Sequence, residues 1–313
     1  MAEAKDLDFT YSLTDRVIRL SLGEMPDFSG AKFDGDFNLT LQAAQARKHA
    51  YIGEKLSIGP GRRIIDLGCG WGPLLNYVRS QGGKGMGLTL SKAQQASCQA
   101  HGLDVHLQNV LELTRERFGE FDAAASLGAF EHFATPEDFE GGRQANVYRD
   151  FFGRVASVLP PGGRFYLQTM VWGPAMPPAD LIDMELLRGL PPKGSDEYYV
   201  ALLGRQFPGS WLPFGHEQVT SCASPHFRLV ELSSGRLDYI ETISRWNYYI
   251  GQPSFRKTLL KLRLVPHWLT SQDFRLAFTS GESANKICFE RELLEHYRMV
   301  FERRPTVPML LAK

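Results

Sequence analysis

The chain has 313 residues, with 35 Lys and Arg against 35 Asp and Glu, so its formal net charge is zero. That balance speaks against a nucleic-acid partner, which usually leaves a basic footprint, and 43% hydrophobic with 22% charged residues is ordinary globular usage, not the signature of disorder. No run approaches the roughly 20 apolar residues that span a bilayer, and Met1–Asp8 has acids but no apolar stretch, unlike a secretory leader.

Residues 1–60 read as a largely helical amino-terminal cover. Arg63–Leu67 is a short apolar strand, followed by Gly68, Gly70 and Gly72 and then a helical pattern over Pro73–Arg79. Gly85–Thr89 is a second strand, and Ser91 can cap the helix running towards His101. Val105–Gln108 and Phe121–Leu127 are the third and fourth strands. Val147, Phe151, Val155 and Val158 recur at helical spacing, a Pro-Pro-Gly-Gly turn follows, and Arg164–Met170 is the fifth strand. Strands alternating with helices predict a mostly parallel sheet covered on both faces, with residues 61–171 as its α/β core. The Pro- and Leu-rich residues 172–222 break the rhythm and read as a helical lid inserted after the fifth strand. In residues 223–313 the pattern returns with a strand at Phe227–Leu232, helices from Asp238 to about Glu295, and a last strand at Arg298–Phe301. Cys69, Cys98, Cys222 and Cys288 form no CxxC pair and no zinc spacing, so they read as reduced thiols of a cytoplasmic protein without a metal centre.

The sharpest local motif is Asp66-Leu67-Gly68-Cys69-Gly70-Trp71-Gly72, which follows a strand and opens a helix. Glycines there let a ligand approach the backbone, beside the free N–H groups of the helix start. The spacing is GxGxG, not the GxGxxG of a dinucleotide fold, and no GK[ST] follows as in a phosphate-binding loop. It resembles motif I of class I S-adenosylmethionine-dependent methyltransferases. The plainer alternative is a structural glycine turn in another α/β protein.

Further segments narrow the resemblance. They are Phe28-Ser29-Gly30-Ala31-Lys32-Phe33, Gly87-Leu88-Thr89-Leu90-Ser91-Lys92-Ala93-Gln94, Gly128-Ala129-Phe130-Glu131-His132-Phe133, Phe207-Pro208-Gly209-Ser210-Trp211 and Asp238-Tyr239. From about Tyr11 onward the chain resembles the cyclopropane-fatty-acid synthase and mycolic acid methyltransferase family. The resemblance implies a Rossmann-like, seven-stranded, mostly parallel sheet. It implies S-adenosylmethionine as cofactor, with Ser29, Gly68 and Gly70 at the methionine end and Asp66 and Gly72 also in the cofactor site. Thr89, Leu90 and Gln94 would sit around the ribose and adenine. After the third strand the sequence offers Asn109 and Val110 where an acid or aromatic is usual.

In the resembling family, a bicarbonate ion held by Cys, Glu, His and Tyr side chains removes the proton during cyclopropanation. Here Glu131 and Tyr239 are present, but the Cys position is Gly30 and the His position is Gln168. Gln168 cannot usefully take a proton, so anion binding is weakened and cyclopropane formation is put in doubt. Glu131, Tyr239 and His132 are the candidate catalytic residues. Gly30, Gln168, Met170, Trp172, Phe207 and Trp246 are candidates for the acceptor pocket, with Phe278 among further apolar residues nearby.

One charge feature remains. From Thr242 to Gln272 there is no acid, while Arg245, Arg256, Lys257, Lys261 and Arg263 are basic. That stretch would suit an anionic membrane surface, a substrate phosphate or an acyl-carrier protein, or be simply a solvated helix face. The leading expectation is methyl transfer to carbon of an apolar, unsaturated fatty-acyl acceptor. The alternatives are a natural-product C-, N- or O-methyltransferase acting on an isoprenoid or aromatic molecule, and a non-catalytic relative that binds cofactor or lipid.

Overall fold

The computed structural model describes residues 17–270, 275 and 283–305. Met1–Asp8, Tyr11 and Phe278 lie outside the described residues.

Seven strands form one sheet. They are β1 (Arg63–Leu67), β2 (Lys84–Thr89), β3 (Asp104–Leu107), β4 (Ala123–Leu127), β5 (Arg164–Trp172), β6 (Phe227–Ser234) and β7 (Leu294–Arg303), in the order β3-β2-β1-β4-β5-β7-β6. The first five pair in parallel, and β7 runs antiparallel between β5 and β6. β1 is buried from Ile64 to Leu67, which is why it reads as a continuous apolar run, not an alternation. Strand order reverses beside β1, so the carboxyl ends of β1 and β4 open the crevice where such sheets bind ligands.

The described helices that matter for the site are α1 (Leu41–Leu56), α2 (Pro73–Ser80), α3 (Lys92–Ala100), α4 (Gln144–Ser157), α5 (Asp196–Gln206), α6 (Gly215–Ala223), α7 (Arg236–Gly251), α8 (Phe255–Thr270) and α9 (Ala284–Glu290). Ser91 caps α3 as expected, its hydroxyl accepting from Gln94 N. Phe130, Tyr148, Phe151, Phe152, Phe165 and Phe301 pack an aromatic core between α4 and the sheet.

Three expectations need correction. Residues 23–40 are not helical. Gly23, Pro26, Gly30 and Gly35 interrupt them, and their backbone is satisfied by other elements: Lys32 N donates to Ala44 O and Ala31 N to Thr242 Oγ1. The inserted cover ends near Phe214, because Val219, Cys222 and Ala223 of α6 pack into the main core. Trp172 N donates to Pro213 O and Trp211 N to Ala134 O, which pins the returning chain to β5 and to the segment after β4. Finally, the last strand is longer than its apolar residues indicate. It runs from Leu294 to Arg303 and pairs with all of β5, including the register pairs Gln168–Arg298 and Met170–His296.

Candidate active site

The glycine turn sits at the carboxyl end of β1. Gly68 (φ 88°) has Ala129 where its Cβ would stand, so only glycine fits. Gly70 (φ 54°) meets nothing within 4 Å and opens on free space. Asp66 ends buried there, and its Oδ1 has no hydrogen-bond partner. Burial, reinforced by nearby Asp27 and opposed by Lys48, pushes the Asp66 carboxyl up to about 7. An orphaned, buried carboxylate beside an open glycine cradle calls for a cationic ligand.

Ser29 lies against this end in a network that sequence reading missed. Lys48 Nζ donates to both oxygens of Asp27 at 2.8 Å and to Ser29 Oγ at 2.6 Å. Ser29 Oγ donates to Asp27 Oδ1 at 2.8 Å, and Gln45 Nε2 donates to Ser29 O at 2.9 Å. Burial would raise Asp27, yet Lys48 and His49 outweigh it and hold the carboxyl well below the usual range. The available signal was Gln45 and Lys48 falling on the same face of α1 as Leu41, Ala44 and Ile52. Polar residues in an apolar stripe need buried partners.

At the end of β2, Thr89 Oγ1 donates to Gln94 Oε1 at 2.7 Å, both buried, with Leu90 between them in sequence. Asn109 Oδ1 accepts from Leu111 N at 2.9 Å and caps a short 3-10 turn. Val110 packs in the main core. Gly72 closes the glycine turn and starts α2.

Glu131 and His132 stand on a 3-10 turn after β4. Glu131 Oε1 accepts from Met170 N at 2.7 Å. Burial pushes its carboxyl up to about 8, partly offset by that bond, so Glu131 carries a proton at neutral pH. Burial pulls His132 down to about 4, so its ring is neutral. His132 Nδ1 lies 2.7 Å from Ser210 Oγ, a contact that fixes the ring. Glu131, His132, Met170, Trp172, Leu203, Phe207 and Trp211 are among the walls of a cavity of about 40 Å³.

Tyr239, Gly30, Gln168 and Trp246 are not among the cavity's lining residues. The Tyr239 ring stacks on His296 at 4.7 Å between centroids and meets Phe289 edge-on. A Cβ on Gly30 would fall 2.6 Å from Tyr239 Cδ2 and 3.1 Å from His296 Cε1. Gln168 Nε2 donates to Gly30 O at 2.9 Å, and its Oε1 accepts from Tyr166 Oη at 3.1 Å. Trp246 stacks on Phe28 at 4.2 Å. Nearby, buried Arg298 donates from one nitrogen to Ala31 O at 2.7 Å and Asp238 Oδ2 at 2.9 Å. Asp238 Oδ1 in turn accepts from Asp34 N, which ties the amino-terminal cover to α7.

The sheet order, the glycine turn at its crevice and the capped Thr89–Gln94 corner define a Rossmann-like class I methyltransferase. Comparison with known proteins goes further. The family model for mycolic acid cyclopropane synthetases matches residues 1–254, and the chain belongs to that family. Cyclopropane mycolic acid synthase 1 of Mycobacterium tuberculosis is 31% identical over 244 residues, 76% of this chain and 78% of that protein. The crystal structure of the mycolic acid cyclopropane synthase CmaA1 with SAH and CTAB superposes with a TM-score of 0.74 at 25% identity, covering 96% of this chain and 98% of that one. The cyclopropane synthase MmaA2 from Mycobacterium tuberculosis gives 0.73 at 25% identity, with the same coverage. The protein is an S-adenosylmethionine-dependent methyltransferase. Asp66 and the open face of Gly70 fit that cationic cofactor.

Proposed function

We propose that the enzyme methylates carbon of an apolar, unsaturated acyl-lipid acceptor. The observation carrying this reading is a neutral Glu131 and a neutral His132 within otherwise largely apolar walls. Such a pocket favours hydrocarbon over a sugar or nucleotide. The relatives named for cyclopropane mycolic acid synthesis support the same class. The four anion-site positions read from the sequence, Gly30, Glu131, Gln168 and Tyr239, bear on the product.

When bound, the cofactor supplies an electrophilic methyl on a sulfonium that leaves as a neutral thioether. The protein's task is alignment, water exclusion and one proton. Ser29, Asp66 and the glycine turn would hold the cofactor. Trp172, Leu203, Phe207 and Trp211 keep water from the acceptor. Attack by an alkene leaves a cation that must lose a proton. Ionised Glu131 takes it; a carboxylate of this raised basicity is a competent base near neutral pH. His132, held by Ser210, is its neutral neighbour.

The residues at the anion-site positions do not fit bicarbonate. Gln168 is committed on both amide atoms, and the Tyr239 and His296 rings crowd Gly30. We therefore assign a methyl product, not a cyclopropane. Incubation with a methyl-deuterated cofactor tests both assignments by mass spectrometry of extracted lipids. A methyl group on saturated carbon or a methylated alkene keeps all three deuterons, whereas a cyclopropane keeps only two. Lipids without label sink the acyl reading.

A second reading is favoured by the size of the cavity. About 40 Å³ admits a water or two, not an acyl chain, unless the cover over it moves. Every acceptor therefore needs the cover to move, and a small isoprenoid or aromatic molecule needs the smaller movement. Label in an extracted small molecule with unlabelled lipids would select it.

A further inference from the structure

Helix α8 turns its apolar side outward. Phe255, Leu259, Leu262, Val265 and Leu269 recur at spacings of four, three, three and four residues, which places them in one stripe. On a helix that only packs on its own domain, that stripe would be buried. Here Phe255 is 79% exposed, Leu262 61% and Leu269 63%, with Leu259 and Val265 also exposed. Lys257 is buried instead. Its Nζ donates to Tyr249 O at 2.7 Å and Gln252 O at 3.1 Å, at the carboxyl end of α7. The charged residue anchors the helix inward and the hydrocarbon faces out, the reverse of an ordinary surface helix.

The charged residues in the helix's own sequence have one sign. Residues 242–272 contain no acid, and Arg256, Lys261 and Arg263 lie along the helix sequence. Arg256 is exposed. Arg245 does not contribute, since Glu241 and Phe37 O already hold it. An outward apolar stripe about 21 Å long on an acid-free, basic helix matches one kind of surface. We infer that α8 is a docking helix that lies in the interface of an anionic lipid membrane. The stripe enters the acyl boundary while exposed Arg256 meets the headgroups. A second copy of the chain would set like charges against each other. The inference stands on this helix and not on the proposed acceptor, although α7 links the two: Trp246 packs on Phe28, next to Ser29.

The test is co-sedimentation of the full chain with vesicles, in the absence of cofactor. One set contains phosphatidylglycerol in phosphatidylcholine and the other phosphatidylcholine alone. Binding to the anionic set is expected, weakened at least about tenfold at high salt or on the neutral set. The double variant Leu259→Glu with Leu262→Glu should lose binding at least about tenfold, because it removes apolar contact and adds like charge to the lipid. Both positions are exposed, so its melting temperature and S-adenosylhomocysteine affinity should stay those of the wild type. Arg256→Gln should weaken binding only a few-fold, consistent with about one basic contact.

No sedimentation with either vesicle, or equal sedimentation of wild type and the double variant, overturns the inference. So does self-association that the double variant abolishes without any vesicle binding, which would give the stripe to a second copy. Binding of an acidic carrier protein in place of vesicles overturns it as well. Vesicle binding by a chain that fails to bind S-adenosylhomocysteine would uphold this inference and sink the methyltransferase reading instead.

Discussion

Glu131 reaches across from the turn after β4 to accept the backbone N–H of Met170 on β5 at 2.7 Å. The bond fixes the carboxyl in the wall of the pocket, and burial keeps it protonated at neutral pH. In the proposed reaction the same residue supplies the base.

Replacing Glu131 by Gln keeps an oxygen for Met170 N but removes the base. Turnover should fall about 10²–10⁴-fold, with S-adenosylhomocysteine affinity within about twofold of wild type. Wild-type kcat should rise with pH and level off above about 8, since the ionised carboxyl is the active form. The residual activity of Glu131→Gln should lack that limb. Steady-state kinetics over pH 6–9 with parallel calorimetry reads both, and equal activity of the two proteins would remove Glu131 from the chemistry.

The same group shapes stability. Its folded pKa of about 8 lies above the ordinary value of 4.5, so the native state holds a proton that the unfolded chain releases. Its contribution is fully present below about pH 4.5 and is lost as pH rises towards 8, on the order of 4 kcal/mol in all. Glu131→Gln should therefore gain stability relative to wild type over that window. Urea melts at pH 5 and pH 8 measure the difference, and a constant gap between the proteins would contradict the buried, neutral carboxyl.

Asp66 should couple cofactor binding to proton release. Its carboxyl titrates at about 7 in the free protein, and a bound cation favours the ionised form. Affinity for S-adenosylmethionine should rise with pH up to about 7 and then flatten. Calorimetry at pH 7 in two buffers of different ionisation enthalpy should show roughly half a proton released. Asp66→Asn should show none; unchanged release in that variant would assign the proton elsewhere.

Lys48 is buried and Asp27 nearly so. Lys48→Met leaves the Asp27 charge without its main partner and should cost about 3–5 kcal/mol. Adding Asp27→Asn should recover most of the loss. Thermal melts of the three variants form the cycle, and additive losses would show that the pair is not coupled.

Gly30 has no room for a side chain. Gly30→Ala should cost about 1–3 kcal/mol, because its Cβ would stand 2.6 Å from Tyr239. Tyr239→Leu in the same chain should relieve part of that cost. A Gly30→Ala protein as stable as wild type would mean that the ring swings aside freely.

Much of this was legible in the chain itself. The strand-then-glycine pattern at Arg63–Gly72 is local, since backbone turns and helix starts depend on residues next to one another. So is Ser91, whose hydroxyl caps the helix it precedes. The segment Gly128–Phe133 placed Glu131 and His132 at a strand end without any coordinates. The tertiary structure decided what these residues became. Asp27, Lys48, Asp238, Arg298 and His296 are scattered over some 270 positions and meet only because β7 enters between β5 and β6 and the cover folds onto α1 and α7. The sequence also marked the α8 stretch as basic and acid-free, but not which way its helix faces; Lys257, tied to the end of α7, settles that. Protonation states belong to the same category. The sequence supplied two carboxylates, Asp66 and Glu131, and only burial, which is a property of the packed whole, raised them to about 7 and about 8.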